Sequence, residues 1–401
     1  MDHDERLNLE IINEEASIWF MIDLYGTPTV IIKAPSNTVK SIINGCNTEI
    51  LVGIDKSRNA PIVHIGIKIF DFPENPMILS GSNRFEEDNI YLIKFLRSQE
   101  SRVALYSELG ICVALGNANL NQSMADRALK LVGDPLNLYI GDFSEEVMNS
   151  LDCFDFTVDK TRASKNVYEI EIISVDCIFN NWSDMIRDFI GLNTQEEFSI
   201  KDINEGSTLE SQVWFSIEDL FHFNIHLNPQ FSTKDGSKEL TDILAFYELG
   251  IFIFETKCLS IYSTSSPPSL DRKVRNLQNH IKKAIRQLIG AKNKIQSKNE
   301  IFTKKGKLID FNRYIIPHCT VLVSELIPFG DWTEIENEII RATIEEKIYL
   351  HIMDFREFIN FVKNSQGKKE NLDYLFMDRA QGFAETRSIH MRSKFERPNN
   401  Q

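Results

Sequence analysis

Glu239-Leu-Thr-Asp242-Ile-Leu-Ala-Phe-Tyr247-Glu-Leu-Gly250-Ile-Phe-Ile-Phe-Glu255-Thr-Lys257 decides how this chain folds. Two apolar runs, 240–246 and 251–259, flank Tyr-Glu-Leu-Gly, so the segment predicts two strands joined by a tight turn. Charged residues are depleted from buried strands, so Asp242, Glu255 and Lys257 among Ile, Leu and Phe need a reason. Alternation puts Glu255 and Lys257 on one face of their strand. With Glu248-Leu249 as a two-residue loop, Tyr247 pairs with Gly250 and Asp242 falls opposite Glu255. Directly opposed residues hold their Cβ atoms about 4.5–5.5 Å apart. Two carboxylates therefore converge at the open end of the hairpin, with an ammonium one step beyond.

Two carboxylates at roughly 4 Å repel by about 4 kcal/mol at an effective dielectric of 20. A positive charge between them is expected. Mg²⁺, or Mn²⁺ in its place, takes oxygen ligands from one or two carboxylates and keeps positions for water and a substrate phosphate. A water held there becomes acidic enough to attack phosphorus, and Lys257 is placed to orient it or to neutralise developing charge. These are the parts a phosphodiesterase needs.

Outward from the hairpin, the second half reads as a helix at 208–223, a polar turn, the two strands, a Ser/Pro-rich loop at 263–269 and a long amphipathic helix at 270–298. The apolar stripe of that helix, Val274, Leu277, Ile281, Ala284, Ile285, Leu288 and Ile289, keeps helical spacing. Strands at 314–323 and 348–353 and helices at 334–346 and 354–362 follow. The order α-β-β-α-β-α-β-α predicts an α/β mixed sheet sandwiched by helices. The first half predicts strands at 16–25, 29–33, 49–54, 61–70, 103–115 and 167–175, and helices at 87–97, 122–132, 144–151 and 182–190, a strand-rich α+β domain. Composition turns polar over 193–207. The expected division is a domain over 1–195, a second over 196–365 and a basic tail over 366–401.

The second half resembles the PD-(D/E)XK, or restriction-endonuclease-like, nucleases. Their signature is an acid, a spacer and then Glu/Asp-x-Lys on the next strand. Here it reads Asp242, twelve residues, then Glu255-Thr256-Lys257. The superfamily core, α-β-β-β-α-β, is close to the order read for residues 208–326. Thr241 stands where the older consensus has Pro. The resemblance implies a Mg²⁺-dependent DNA endonuclease, with Asp242 and Glu255 as metal ligands, and a role in restriction or defence against foreign DNA. It also implies a glutamate on the first helix, Glu210 or secondarily Glu218. Some members carry a glutamine on the helix after the lysine, for which Gln287 is the first choice and Gln278 the rival. The alternative is a nuclease-like fold that only binds nucleic acid or a partner protein.

Charge separates the two halves. The chain has 401 residues and net charge −14, yet residues 1–200 carry 31 acidic and 16 basic side chains, and residues 201–401 carry 27 and 28. That excludes a protein coating nucleic acid with its whole surface. From Lys257 to Lys307 there are 13 Lys and Arg against Asp271 and Glu300. Arg272, Lys273, Arg275, Lys282, Lys283 and Arg286 are the expected phosphate-backbone contacts. A second basic cluster, Arg379, Arg387, Arg392, Lys394 and Arg397, is expected to extend the grip from the tail. The acidic first half is then expected to regulate, to sense, or to assemble the protein with itself or a partner.

Six scattered cysteines have no C-x-x-C pair, which argues against a disulfide framework or zinc ribbon. The acidic N-terminus and the lack of a long uncharged apolar run predict a cytoplasmic protein with no membrane contact. Motifs for Ser hydrolases, dinucleotide enzymes and ATP motors are missing.

Overall fold

The computed structural model describes residues 3–57, 59–72, 74–159, 169–190, 195–202, 204–234, 236–258, 270–297 and 299–393. Contacts within the chain divide it into two units, residues 1–187 with 199–201, and residues 188–198 with 202–401.

In the first unit the elements are α1 (His3–Asn13), β1 (Ser17–Ile22), β2 (Pro28–Lys33), α2 (Ser36–Ile43), β3 (Thr48–Asp55), β4 (Ile62–Ile69), β5 (Met77–Ser82), α3 (Glu86–Arg97), β6 (Ser101–Tyr106), β7 (Cys112–Leu120), α4 (Gln122–Val132), α5 (Glu145–Val158) and β8 (Glu171–Asp184). Eight strands form one sheet in the order β1-β2-β6-β7-β8-β3-β4-β5. Only β2 and β6 run parallel. Both faces of β3 and β4 are buried, hence their near-continuous Ile/Val/Leu runs. Gly53 and Gly66 let the Phe154 ring of α5 lie on the sheet: a Cβ on Gly53 would come within 2.6 Å of Phe154 Cδ2.

Two expectations fail here. The run 103–115 is a hairpin, not one strand. Ser107 N–H donates to Ile111 O at 3.0 Å and Gly110 takes φ +72°, a turn hidden in an otherwise apolar sequence. Residues 182–190 are not helical: β8 pairs with β7 as far as Asp184, and β9 (Arg187–Ile190) follows. Edge-to-edge pairing with β7 outweighs the local helical pattern.

The second unit continues with β10 (Gln195–Phe198), α6 (Glu205–Phe221), β11 (Ile225–Leu227), β12 (Gln230–Thr233), β13 (Gly236–Glu239), β14 (Ile243–Phe246), β15 (Ile251–Lys257), α7 (Leu270–Gln296), β16 (Ile301–Phe302), β17 (His318–Val323), α8 (Thr333–Glu345), β18 (Tyr349–Asp354), α9 (Phe355–Asn364) and α10 (Lys369–Thr386). The main sheet has the order β11-β14-β15-β17-β18, and β13-β12-β16 make a smaller one. β11, β14 and β15 are antiparallel neighbours, whereas β15, β17 and β18 run parallel through the crossovers α7 and α8. Alternation along β15 sends Phe252 and Phe254 to one face, where they meet Phe221 of α6, Phe358 of α9 and Phe376 of α10 at ring separations of 5.3, 5.5 and 5.6 Å. Ile251, Ile253 and Glu255 take the other face, under the buried stripe of α7. This is a mixed α/β sheet between helical layers.

The expected basic tail is largely part of the fold. α10 buries Leu372, Phe376 and Arg379. The Arg379 guanidinium donates to Glu357 Oε1 at 3.3 Å and to the carbonyls of Ile352, Ile389 and Met391 at 2.9, 3.3 and 3.2 Å. Arg392 forks onto both carboxylate oxygens of Asp354. Arg379 is not available to a phosphate, because buried acceptors already use its donors, and Arg392 is committed to the Asp354 carboxylate. Lys394 and Arg397 lie outside the described residues. No helix among the described residues is long and apolar enough to cross a membrane.

Candidate active site

The hairpin has the expected register. Ile243 faces Phe254, Leu244 faces Ile253, Ala245 faces Phe252 and Phe246 faces Ile251, and Tyr247 N–H donates to Gly250 O at 2.9 Å. Asp242, one residue before β14, stands at the mouth beside the end of β15. Its Oδ2 accepts from the backbone N–H and the hydroxyl of Thr256 at 2.6 and 3.1 Å. Thr241 locks the same mouth by donating its hydroxyl to Phe254 O at 2.8 Å.

Lys257 Nζ sits 2.9 Å from Glu255 Oε2 and 3.9 Å from Asp242 Oδ2. Those two oxygens are therefore no further apart than both distances together, about 6.8 Å. Glu255 is 1% exposed and Asp242 7%. Burial, and then the Asp242 charge, push the Glu255 carboxyl up to about 7 against the pull of Lys257.

α6 adds Glu210 to this group. Burial first, then Asp242 and Glu239, raise Glu210 to about 7, while a hydrogen bond from the Asn228 side chain and the Lys257 charge work the other way. Glu239, the last residue of β13, is also raised, by burial and then by Asp242, with Lys304 and Lys257 opposing. Sequence reasoning assigns Glu239 no role. Its position three residues before Asp242 is visible there, but β13 belongs to the small sheet, and only the chain's return brings its carboxylate within range of Asp242. Lys257 pairs with Asp242 and Glu255, and the charges of Glu210 and Glu239 couple to the same group, which carries excess negative charge.

Other expected members lie elsewhere. Glu218 is buried two turns further along α6 than Glu210, about 12 Å along the axis. Gln287 is exposed and does not reach the site. It lies to one side of the stripe formed by Leu277, Ile281, Ala284, Leu288 and Ala291, so its nearness to Ala284 and Ala291 does not turn it to the sheet. Gln278 donates to Asp331 O at 2.7 Å, at the start of the α8 region. On α7, Arg272, Arg275, Lys283 and Arg286 are exposed on the side away from the sheet. Lys273 is half-buried, and Lys282 is engaged by Glu334 of α8 at 2.5 Å.

The donor set meets the needs of a hard divalent cation in part. Among the described residues no group of three or more His, Cys, Asp or Glu side chains is arranged to hold a metal. Asp242 and Glu255 nevertheless supply the oxygen ligands such an ion prefers, and burial first, then the Asp242 charge, raises the Glu255 carboxyl. Lys257 Nζ occupies the space between them, so a cation there requires the ammonium to withdraw. Comparison of the chain with protein-family models, with curated proteins and with solved structures finds no match.

Proposed function

We propose that the second unit is a Mg²⁺- or Mn²⁺-dependent endonuclease that hydrolyses phosphodiester bonds in DNA. The observation that carries this reading is the opposed pair Asp242 and Glu255 with Lys257 Nζ between them. Two further observations support it. Setting the small sheet aside, α6, β11, β14, β15, α7 and β17 follow the α-β-β-β-α-β order of the PD-(D/E)XK core. Glu210 comes from the helix on which members of that superfamily carry a glutamate, and its carboxyl senses Asp242.

The roles follow from chemistry. Asp242 is fixed by Thr256 and would hold the cation through its carboxylate. A bound divalent cation supplies Lewis acidity toward water and phosphate. Glu255 would supply the second carboxylate to the cation, and its burial beside Asp242 leaves a negative charge for that ion to offset. Lys257 stabilises negative charge developing on the phosphate oxygens. Exposed Arg272, Arg275, Lys283 and Arg286 supply the electrostatic hold on the backbone.

A second reading, a nuclease-like fold that binds without cutting, is favoured by one observation: an ammonium already lies between the two carboxylates. Cleavage of supercoiled and linear duplex DNA with Mg²⁺ or Mn²⁺ separates the two readings. Cutting that is lost with chelator, and reduced about 100-fold or more in Asp242→Ala and Lys257→Ala, is the expected result. Undiminished cutting by both variants rejects the site. Binding with no wild-type cutting establishes the second reading.

A further inference from the structure

The other end of the same sheet carries a pocket that the nuclease reading does not use. Its volume is about 420 Å³, and its walls include Leu249 of the β14–β15 turn, Ile316, Tyr349 of β18, and Glu370, Tyr374 and Met377 of α10. β15 rises about 3.3 Å per residue, which sets Gly250 and this pocket about 17 Å along the strand from Glu255.

Asp373 and His318 also line the pocket, and Asp373 is prepared with care. Tyr247 donates its hydroxyl to Asp373 Oδ2 at 2.5 Å, and His318 Nε2 lies 2.7 Å from Oδ1. Behind them, His318 Nδ1 meets His351 Nε2 at 3.1 Å, and the His318 ring stacks on Phe252 and Tyr349 at 5.1 Å each. His318 thus spans the pair, with Nε2 on the Asp373 carboxylate and Nδ1 on the buried His351 ring. Burial alone would raise Asp373, yet the hydrogen bonds from His318 and Tyr247 hold it below its ordinary value. His351 is kept far below its own by burial and by the charges of His318 and Arg379. Tyr247 is pushed upward by burial and by Asp373.

The result is a positioned carboxylate facing apolar and aromatic walls. No Lys or Arg among the described residues lines the pocket, and Glu370 adds a second acid. Lys369, next along α10, is turned to Glu248 at 3.3 Å and lies over the Tyr247 ring. Tyr374 and Leu249 are about 70% exposed, so the stem of a ligand would cover surface that is now wet.

We propose that this pocket binds a small organic cation, an ammonium on an aromatic or apolar stem, with Asp373 as its counter-charge and Tyr349, Tyr374 and Met377 packing the stem. The volume lies within the roughly 300–1,000 Å³ of small-ligand sites, and aromatic faces favour an ammonium over its neutral analogue.

The test is calorimetric titration of the full-length protein with phenethylammonium and with 2-phenylethanol, its uncharged counterpart. Saturable binding of the amine is expected, with the alcohol at least about tenfold weaker. Asp373→Asn should weaken amine binding about tenfold or more, and Tyr374→Ala severalfold. Should Asp373→Asn fail to fold, Glu370→Gln and Tyr374→Ala decide, because both residues are exposed and their loss leaves the core intact. Equal binding of amine and alcohol overturns the proposal, as does no amine binding at millimolar concentration. Unchanged affinity in the acid variants also overturns it.

Discussion

Glu255 is the residue on which chemistry and stability meet. Its carboxyl ionises near pH 7 in the folded protein, against 4.5 for an ordinary glutamate. The folded state therefore holds this proton more tightly than the unfolded chain does. That contribution to stability is fully present below about pH 4.5 and is lost as pH rises through 7. Each pKa unit is worth about 1.4 kcal/mol, so the whole loss is on the order of 3 kcal/mol. Urea unfolding at pH 5 and pH 8 should show that decline in the wild type and a shallower one in Glu255→Gln. At pH 8, Mg²⁺ should raise the wild-type midpoint and leave that of Glu255→Gln nearly unmoved.

At the scale of elements, α7 joins two tasks on opposite sides. Its stripe from Val274 to Ile295 covers the sheet, while Arg275, Lys283 and Arg286 face solvent. Replacing these three by Ala should lower DNA affinity and reduce the log–log salt slope by about 0.9 for each phosphate no longer neutralised. Thermal stability should stay nearly constant, because the three side chains pack against nothing in the core. An unchanged slope would show that the basic face does not touch the backbone.

α10 behaves in the opposite way. Arg379→Ala takes from the buried Glu357 carboxylate its shorter ion pair, Nη1 to Oε1 at 3.3 Å, and leaves it the longer one to Arg392 at 3.7 Å. Removing one member of such a buried pair costs about 3–5 kcal/mol. Denaturant unfolding should show that loss, whatever happens to DNA binding. Basic residues in the last 36 positions were legible as charge; their burial was not, because Leu372 and Phe376 give only a weak apolar pattern between charged neighbours.

For the whole molecule, the net charge of −14 is a sum over unlike halves. The second unit contains the five-stranded sheet and the whole carboxylate group, so a chain of residues 188–401 should retain both. Without the acidic first unit it should bind DNA more tightly at low salt and cut faster. Equal or lower activity would reject autoinhibition by the first unit.

The sequence by itself determined the register of the central hairpin, since strand period and a two-residue turn leave only one pairing for Asp242 and Glu255. It also determined the buried stripe of α7 and the charge asymmetry, which are one-dimensional properties. Only the tertiary structure decided that the charges of Glu210 and Glu239 couple to Asp242, that Gln287 faces water, and that Tyr247 and His318 meet on Asp373 across 126 and 55 residues. Local periodicity chooses the face a side chain takes. The neighbour it meets there depends on contacts between elements far apart in the chain, which no local pattern encodes.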